Sequence, residues 1–309
     1  MVDYSKNTVE RVYSLEVMPE LPEVETIARR IAPHLLTKKL QKIVVLHQKC
    51  VRGSTTLVES ACVTKVLRRA KLLLIHFDNG NSLLIHLKMT GQVLYQDEKM
   101  RLGGGHPTAD WIADLPSKHT RAILEFSGNS RVFFNDMRLF GWIKVVSKLQ
   151  LQQELKVFAP DVISPEISSE YFFGKLQQTR RPIKIVVMDQ SVAAGVGNIY
   201  ANDALHLSKL HPARLANSLS RPESDAVLVA LQEVIYLGIA HQGATIHSFR
   251  HIDGFAGTYQ DITRVYGRDG KLCQTCRTKI KKIKLGGRGT YFCPTCQPSS
   301  KSRDTALEL

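Results

Sequence analysis

The chain has 309 residues, of which 43% are hydrophobic and 23% are charged, and its net charge is +14. A chain of this length folds into two or three modules, and its hydrophobic fraction excludes a largely disordered protein. No apolar run is long enough to span a membrane, and residues 1–17 lack the apolar core of a secretory signal. The positive charge predicts a polyanionic partner, most often a nucleic acid, although a need for solubility alone would also explain it.

The first predicted element is a helix that begins near Pro22. Its apolar side chains recur at the spacing of one helical face, at Val24, Ile27, Ala28, Ile31 and Leu35. Glu23 lies near the start of this helix and favours the positive end of its dipole. Residues 1–17 precede the helix, and we expect them to be an appendage outside the fold.

Residues 40–146 are predicted to be mainly antiparallel β structure. Short apolar runs alternate there with turn signals such as Asn-Gly and Gly-Asn, which favour β-hairpins. The runs are Leu72–Phe77, Ser82–Leu87, Ala122–Ser127, Arg131–Phe134 and Gly141–Val146. This pattern predicts a two-layer sandwich behind the first helix.

Helical periodicity dominates the next part of the chain, from Ser168 to about His241. A connector that contains Pro160 separates it from the strands, and several glycines and prolines break it into shorter helices. Asn198 follows a Gly-Val-Gly turn and is predicted to cap the helix Ile199–Leu207. The amides of such a turn can bind a phosphate.

Four cysteines near the carboxyl end have the spacing of a zinc site. Two residues separate Cys273 from Cys276 and Cys293 from Cys296, and sixteen residues separate the two pairs. Two such turns can place four thiolates on a tetrahedron, which Zn²⁺ accepts in a closed structural site. Local disulfides or free buried thiols are the alternatives, but adjacent pairs make poor disulfides and we expect a cytoplasmic chain. We therefore expect one structural zinc ion.

The segment around the cysteines is strongly basic, since residues 264–290 contain nine basic residues and a single acidic residue, Asp269. Gly286, Gly287 and Gly289 flank Arg288 in a glycine-rich hairpin between the cysteine pairs. A hairpin that zinc makes rigid can place one arginine against a phosphate. The segment alone therefore predicts a zinc ribbon that binds nucleic acid, although charge runs are usually solvated surface.

Short motifs occur in the same order along the chain as in a known enzyme family. They are Met18-Pro-Glu-Leu-Pro-Glu-Val-Glu-Thr26, Arg69-Ala-Lys71, His86-Leu-Lys-Met89-Thr-Gly91, Asp136-Met-Arg138-Leu-Phe140-Gly141, Gly195-Val-Gly-Asn198-Ile-Tyr200 and the four cysteines with Arg288. Together they resemble the formamidopyrimidine-DNA glycosylases, bacterial enzymes that excise oxidised purines. The resemblance covers about residues 18–296.

The resemblance implies an α+β fold. It has an amino-terminal antiparallel β-sandwich with a flanking helix, a helical helix–two-turn–helix module and a carboxyl-terminal zinc finger. We predict an extension at 1–17, a catalytic β-sandwich domain at 18–148, a linker at 149–163, a helix–two-turn–helix DNA-binding domain at 164–258, a zinc finger at 259–297 and a tail at 298–309.

The resemblance also implies that Pro19 becomes the mature amino terminus and acts as the nucleophile. An α-amino group has a pKa roughly two and a half units below that of lysine, so more of it is free base at neutral pH. Glu20 would protonate the opening sugar, and Lys71 and Arg288 would assist the two eliminations that follow. From residues alone, Pro19-Glu20 would be a helix-start signal and Lys71 a solvated strand lysine.

Seventeen residues precede Met18, and a Pro19 nitrogen within the chain is an amide that cannot attack. Either translation starts at Met18 and the methionine is removed, or the extension is cleaved, or the chain is not a lyase. We expect the internal start, because Met18 stands where the family's initiator would be.

Further residues correspond to DNA contacts of the family. Met89, Arg138 and Phe140 would fill the gap left by a flipped base, although Met89 and Phe140 could equally be core residues. His119 would contact the DNA, Asn198 would contact a DNA phosphate, and Arg180 with its neighbour Arg181 would contact the DNA backbone. The sequence departs from the family where Leu139 replaces a common second arginine and Met137 replaces a proline.

The predicted function is a base-excision-repair glycosylase that removes 8-oxoguanine and formamidopyrimidines from double-stranded DNA. Its abasic-site lyase would cleave the strand by β,δ-elimination through a Schiff base. Leu21 favours this over the related endonuclease VIII type, which acts on oxidised pyrimidines and has glycine there. A non-catalytic lesion-binding protein is the alternative if the extension is retained. We expect a monomer without membrane contact, in the bacterial cytoplasm and associated with the nucleoid.

Overall fold

The computed structural model describes residues 18–105, 115–244, 250–251 and 257–299. The chain packs into two compact units. The first comprises the residues up to Lys156 together with Gly238–Gln260, and the second comprises Val157–Leu237 and the residues from Asp261 onward. The predicted extension lies outside the described residues, as does most of the tail. The domain boundaries derived from the sequence stay predictions.

Two β-sheets form the body of the first unit. In spatial order the six-stranded sheet contains β1 (Leu40–Val45), β8 (Thr120–Phe126), β9 (Ser130–Asp136), β6 (Gly91–Gln96), β7 (Arg101–Gly105) and β11 (Arg250–His251). The five-stranded sheet contains β2 (Val51–Arg52), β10 (Trp142–Val146), β5 (Ser82–His86), β4 (Leu72–Phe77) and β3 (Val63–Arg69). All these neighbouring strands are antiparallel except β2 and β10, which are parallel.

Helix α1 (Leu21–Leu35) packs against strands β3, β4 and β7 of the two sheets. The apolar face that the sequence predicts for it is buried, and Ile27, Ile31 and Leu35 are fully enclosed. Burial of each such side chain contributes about 1.5–3 kcal/mol. One apolar core therefore joins the helix to both sheets, which confirms the predicted β structure with a flanking helix.

The two predicted hairpins are present, and each turns through a left-handed backbone conformation. Gly80 has φ +81° in the turn between β4 and β5, and Gly128 has φ +72° between β8 and β9. Asn129 follows with φ +51°. Glycine and asparagine adopt this region most readily, so these turn residues fix where each hairpin reverses.

Helix α2 (Lys148–Leu155) was not expected, since it occupies part of the predicted linker. Its start is stabilised by a capping box, because the Ser147 hydroxyl accepts from Gln150 N at 3.3 Å and the Gln150 side chain accepts from Ser147 N at 2.9 Å. None of its residues is buried. The helix therefore lacks the apolar stripe by which periodicity detects helices.

The second unit is built from helices and one hairpin. They are α3 (Ser169–Gln177), α4 (Ile183–Val187), α5 (Asn198–Leu207), α6 (Arg221–Ala240, whose end belongs to the first unit) and the antiparallel strands β12 (Lys281–Leu285) and β13 (Arg288–Phe292). The helical segment and the basic hairpin are thus confirmed. Across the described ranges, no helix combines the length and the apolar character that crossing a membrane requires.

Candidate active site

Pro19 and Glu20 lie buried directly before helix α1. The carboxylate of Glu23, one turn into the helix, accepts a hydrogen bond from Glu20 N at 2.9 Å. Its other oxygen accepts from Ala244 N at 2.8 Å. Glu23 therefore connects the backbone of Glu20, the predicted acid, to Ala244, which lies 221 residues further along the chain. The sequence suggests only an interaction of Glu23 with the helix dipole.

Gly243 allows this contact with Glu23. Its φ is +86°, and a Cβ atom placed there would lie 2.8 Å from Cγ and from Oε1 of Glu23. A side chain would therefore have to displace the carboxylate that holds Glu20. Glycine is required here both by the backbone conformation and by the close approach.

Lys71 lies in the two-residue turn between strands β3 and β4, after Ala70 with φ +53°. Only 6% of Lys71 is exposed, so the solvated-lysine alternative is wrong. Arg68 braces the turn, because Nε donates to Glu25 Oε2 at 2.8 Å and a second guanidinium nitrogen donates to Ala70 O at 3.2 Å. Burial raises the pKa of Glu25, but hydrogen bonds from Arg68 and Arg29 outweigh it and keep the pKa below its ordinary value.

His86 contributes a neutral imidazole that the sequence motif alone does not reveal. Burial, together with the positive charges of Lys88 and Lys71, lowers its pKa to about 3. Its Nδ1 lies 2.9 Å from the backbone N–H of Lys88 and accepts its hydrogen bond, which leaves the proton on Nε2. The ring centroid lies 5.8 Å from that of Trp142. His86 therefore presents one hydrogen-bond donor without a charge.

The three residues predicted to fill the gap left by a flipped base lie in two loops of the first unit. Phe140 is 50% exposed, so the alternative that it is a core residue is wrong. The Arg138 guanidinium lies 4.7 Å from the centre of the Phe140 ring, a cation–π distance. Met89 is partly exposed. Leu139, which replaces an arginine, has φ +59° and packs against the core.

His119 lies in a third loop and is partly exposed. Its carbonyl accepts a hydrogen bond from Asp136 N at 2.9 Å. Arg121 donates from Nε to Asp136 O at 2.7 Å and from a terminal nitrogen to Lys118 O at 3.2 Å. The arginine therefore braces this loop against the end of strand β9.

Asn198 does not cap its helix as predicted, because Gly197 occupies the cap position and Asn198 is the first helical residue. Its Nδ2 atom donates instead to Gly289 O at 3.2 Å, within the zinc hairpin. Asn202, one turn later, accepts from Tyr291 N at 2.7 Å. Two amide side chains of helix α5 therefore form hydrogen bonds to strand β13. These contacts join segments that are distant in the chain, and helix-capping rules cannot predict them.

Arg288 and Arg180 are both exposed at the surface of the second unit. Over the ranges that the structure covers, neither guanidinium forms a hydrogen bond or an ion pair with another residue. The neighbouring Arg181, by contrast, pairs with Asp189 at 2.8 Å. Both guanidinium groups are therefore available to an external anion, and their contact with DNA stays a prediction.

The four cysteines form one cluster whose sulfur atoms all lie within 4.8 Å of one another. Cys276 and Cys293 are 3.3 Å apart, Cys273 and Cys296 are 3.9 Å apart, and none forms a disulfide. Four sulfurs around Zn²⁺ at about 2.3 Å stand about 3.8 Å from each other, so the cluster suits one structural zinc ion. Among the described residues, no other group of histidines, cysteines and acids could hold a metal.

The surroundings of the cluster support thiolate ligands. Hydrogen bonds from Thr278 lower the pKa of Cys276 to about 6. Burial and the neighbouring thiols raise the pKa of Cys293 and Cys296, and the positive charge of a bound metal would favour their thiolate forms. His206 Nε2 lies 3.4 Å from the sulfur of Cys273, a contact of the kind that orients metal ligands.

Three family models match the chain in succession. The model of the formamidopyrimidine-DNA glycosylase N-terminal domain matches residues 18–143. The model of the formamidopyrimidine-DNA glycosylase H2TH domain matches residues 158–250, and a zinc finger found in FPG and IleRS matches residues 270–298.

Curated relatives match over nearly their full length. The formamidopyrimidine-DNA glycosylase of Desulforamulus reducens is 36% identical over 289 residues, which cover 91% of this chain and 99% of the relative. That of Pelotomaculum thermopropionicum is 35% identical over 288 residues, with the same coverage.

Solved structures match equally widely. The crystal structure of MutM (Fpg) from Thermus thermophilus superposes with a TM-score of 0.78 at 36% identity, over 91% of this chain and all of that one. A complex between Lactococcus lactis Fpg and a Fapy-dG containing DNA gives a TM-score of 0.78 at 28% identity, with the same coverage.

Proposed function

This chain belongs to the formamidopyrimidine-DNA glycosylase family, and we propose that Pro19 and Glu20 carry out its reaction. The protein is an oxidised-purine DNA glycosylase and abasic-site lyase, its partner is DNA, and its zinc ion is structural. The assignment of chemical steps to individual residues is our proposal.

In the first step, the secondary amine of Pro19 forms a bond to C1′ of the damaged nucleotide while the bond to the base breaks, and the proton of the amine passes to the departing base. Glu20 donates a proton to the ring oxygen as the sugar opens, and the nitrogen lone pair completes an iminium ion. The iminium withdraws electrons, so loss of a C2′ proton expels the 3′ phosphate, and a second elimination expels the 5′ phosphate. Water then releases Pro19. The burial of Glu20 and the hydrogen bond from its backbone N–H to Glu23 support this role, since both fix the position of the residue.

Lys71 and Arg288 assist the two eliminations in this scheme. The braced turn keeps Lys71 within the range of electrostatic interaction with His86, and a single ammonium there can carry a proton or steady a phosphate. The exposed Arg288 guanidinium lies on a hairpin that is anchored by helix α5, and it can form bidentate hydrogen bonds to a phosphate. Asn198 and Arg180 complete the contacts to the DNA backbone, and His119 makes a further contact to the DNA.

Removal of a base from a duplex requires that the nucleotide leave the stack, at a cost of a few kcal/mol. We propose that Met89, Arg138 and Phe140 occupy the gap. The exposed ring of Phe140 can unstack a base step, and Arg138 offers several donors to the orphaned base on the opposite strand. The stacking of Arg138 on Phe140 supports a joint role, because it presents the two side chains together.

The chemistry requires a free amino group at Pro19, so we propose that the active protein begins at this residue. Chains that begin at Pro19 and chains that retain residues 1–17 should be incubated with an 8-oxoguanine duplex and borohydride, which reduces the iminium to a stable adduct. We expect an adduct only with the shorter chain. If that chain forms no adduct on any oxidised-base duplex, the proposed nucleophile is wrong.

For the substrate class, oxidised purines follow from the family, and Leu21 supports the choice over oxidised pyrimidines. Duplexes with 8-oxoguanine, formamidopyrimidine and thymine glycol separate the two classes, and preferential cleavage of thymine glycol would contradict it. We also propose that the protein acts as a monomer in the cytoplasm, on the nucleoid, because all motifs of the reaction lie in one chain. Sedimentation of the DNA complex tests the stoichiometry.

A further inference from the structure

Three loops at one end of the six-stranded sheet carry residues that we propose to contact DNA. The first contains Met89, the second contains Arg138 and Phe140, and the third contains His119. All three loops meet at Asp136, the last residue of strand β9, which is fully buried. Because β6 and β8 run antiparallel to β9, the starts of these strands and the end of β9 lie together.

Asp136 forms a hydrogen bond to each loop. Its carboxylate accepts from the Thr90 hydroxyl beside Met89, from Arg138 N at 3.2 Å and from Gly141 N at 2.6 Å. Its backbone N–H donates to His119 O at 2.9 Å. The carboxylate thus receives three donors in a site shielded from water, where hydrogen bonds to a charged acceptor are strong.

Thr90 connects the first two loops directly. It is 4% exposed, and its hydroxyl donates to Asp136 while accepting from Arg138 N at 3.1 Å. Both loops contain a left-handed residue with a side chain, since Lys88 has φ +51° and Leu139 has φ +59°. Such conformations are unfavourable for residues with a side chain, so the surrounding contacts must hold them.

We infer that Asp136 and Thr90 are positioning residues, which fix the distance between Met89 and the Arg138–Phe140 pair so that all three enter the duplex as one unit. This inference rests on the proposed function, because it concerns how the duplex is opened. A loop that is already ordered loses less entropy when it inserts, so more of the insertion energy is available for base flipping. Both residues are buried, and neither needs to touch the DNA.

The test compares a substrate that must be opened with one that needs no opening. Thr90→Val removes the hydroxyl and keeps the shape of the side chain, and Thr90→Ser restores the hydroxyl. Thr64→Val, at an exposed position on strand β3, makes the same chemical change away from these loops. Each variant acts on 8-oxoguanine within a duplex and on a preformed abasic site in a single strand.

We expect Thr90→Val to lower excision from the duplex about tenfold, which corresponds to the loss of one hydrogen bond to a charged group. Borohydride trapping on the single-stranded abasic site should be unchanged, and Thr90→Ser should recover excision. Thr64→Val should match the wild type in both assays. A fluorescent adenine analogue next to the lesion should report slower unstacking with Thr90→Val alone.

Asp136→Asn gives an independent measurement. The asparagine amide has one acceptor oxygen, so its NH₂ group must face donor groups that the Asp136 carboxylate accepts from. We therefore expect a larger loss of excision activity on the duplex than with Thr90→Val. The inference is overturned if Thr90→Val leaves duplex excision intact, or lowers both activities equally. Failure of the wild-type chain starting at Pro19 to trap the single-stranded site would instead contradict the proposed function.

Discussion

The ammonium group of Lys184 donates a hydrogen bond at 3.1 Å to the carbonyl oxygen of Gly289, 105 residues further along the chain. Lys184 is fully buried on helix α4, and it also donates to the Thr290 hydroxyl at 2.7 Å. A buried ammonium is unfavourable unless its donors are satisfied, so these contacts strongly favour one placement of strand β13. The strand begins with Arg288, whose position therefore depends on the helical module as well as on zinc.

Lys184→Met should accordingly lower both the stability of the second unit and its affinity for DNA. Methionine keeps much of the volume but leaves Gly289 and Thr290 without their charged donor, and we expect the free energy of unfolding to fall by about 1–3 kcal/mol. Urea unfolding and DNA affinity measure the two effects. Lys271→Met removes the same charge at an exposed position, and equal losses in the two variants would contradict the anchoring role.

Gly243→Ala tests the link between Glu23 and Glu20. The new Cβ atom would lie 2.8 Å from the Glu23 carboxylate, so we expect the excision rate to fall as Glu20 loses its backbone contact. Gly80→Ala is the matched control, because Gly80 has φ +81° but no atom within 4 Å of the new Cβ. Both variants share the backbone strain of about 1–2 kcal/mol. Single-turnover excision rates should therefore separate them, and similar rates would count against the link.

The zinc cluster should control DNA binding more than the β-sheets. Cys276→Ser replaces a soft thiolate by a hydroxyl that binds Zn²⁺ poorly, so the hairpin should loosen and Arg288 should lose its placement. We expect loss of the bound zinc and a fall in DNA affinity, with thermal unfolding of the first unit unchanged. Cys62→Ser, outside the cluster, should retain both zinc and affinity. Retention of full affinity by Cys276→Ser would show that the metal does not organise the interface.

Much of the fold could be predicted because local patterns specify it. The apolar face of helix α1 and the turns at Gly80 and Gly128 are encoded within a few residues, where periodicity and backbone preference act. Helix α2 is not predicted because it buries no residue and so lacks the apolar stripe that periodicity detects. The parallel pairing of β2 with β10 joins strands that are far apart in the chain, and no local pattern reports it.

In the candidate site, too, the features set by local sequence could be predicted and those set by distant contacts could not. The cysteine spacing predicts the cluster, because two short turns suffice to gather four sulfurs. The contacts of Asp136 with Thr90, and of Lys184 with Gly289, join residues 46 and 105 positions apart. The side chain of Asn198 was assigned to its own helix because capping is a local rule, whereas the folded chain offers it Gly289. Such choices depend on packing, which a single sequence does not display.

The pKa of His86 makes the stability of the first unit depend on pH. The pKa is about 3 in the folded protein and about 6.5 for a free histidine, so the unfolded chain binds the extra proton between these values. The stabilising contribution is therefore complete above pH 6.5 and is lost progressively as the pH falls from 6.5 towards 3. At pH 5 the loss amounts to roughly 2 kcal/mol.

His86→Asn should remove this dependence. The asparagine oxygen can accept the hydrogen bond of Lys88 N in place of Nδ1, but it does not titrate in this range. Urea unfolding of the wild type and the variant from pH 7.5 to pH 4 should give curves that converge towards acid, because only the wild type loses the histidine contribution. Carboxylates affect both proteins alike and cancel in the difference. Curves that stay parallel over this range would mean that His86 becomes protonated in the folded protein as readily as in the unfolded chain. The assignment of His86 as a neutral hydrogen-bond donor beside Trp142 would then be wrong.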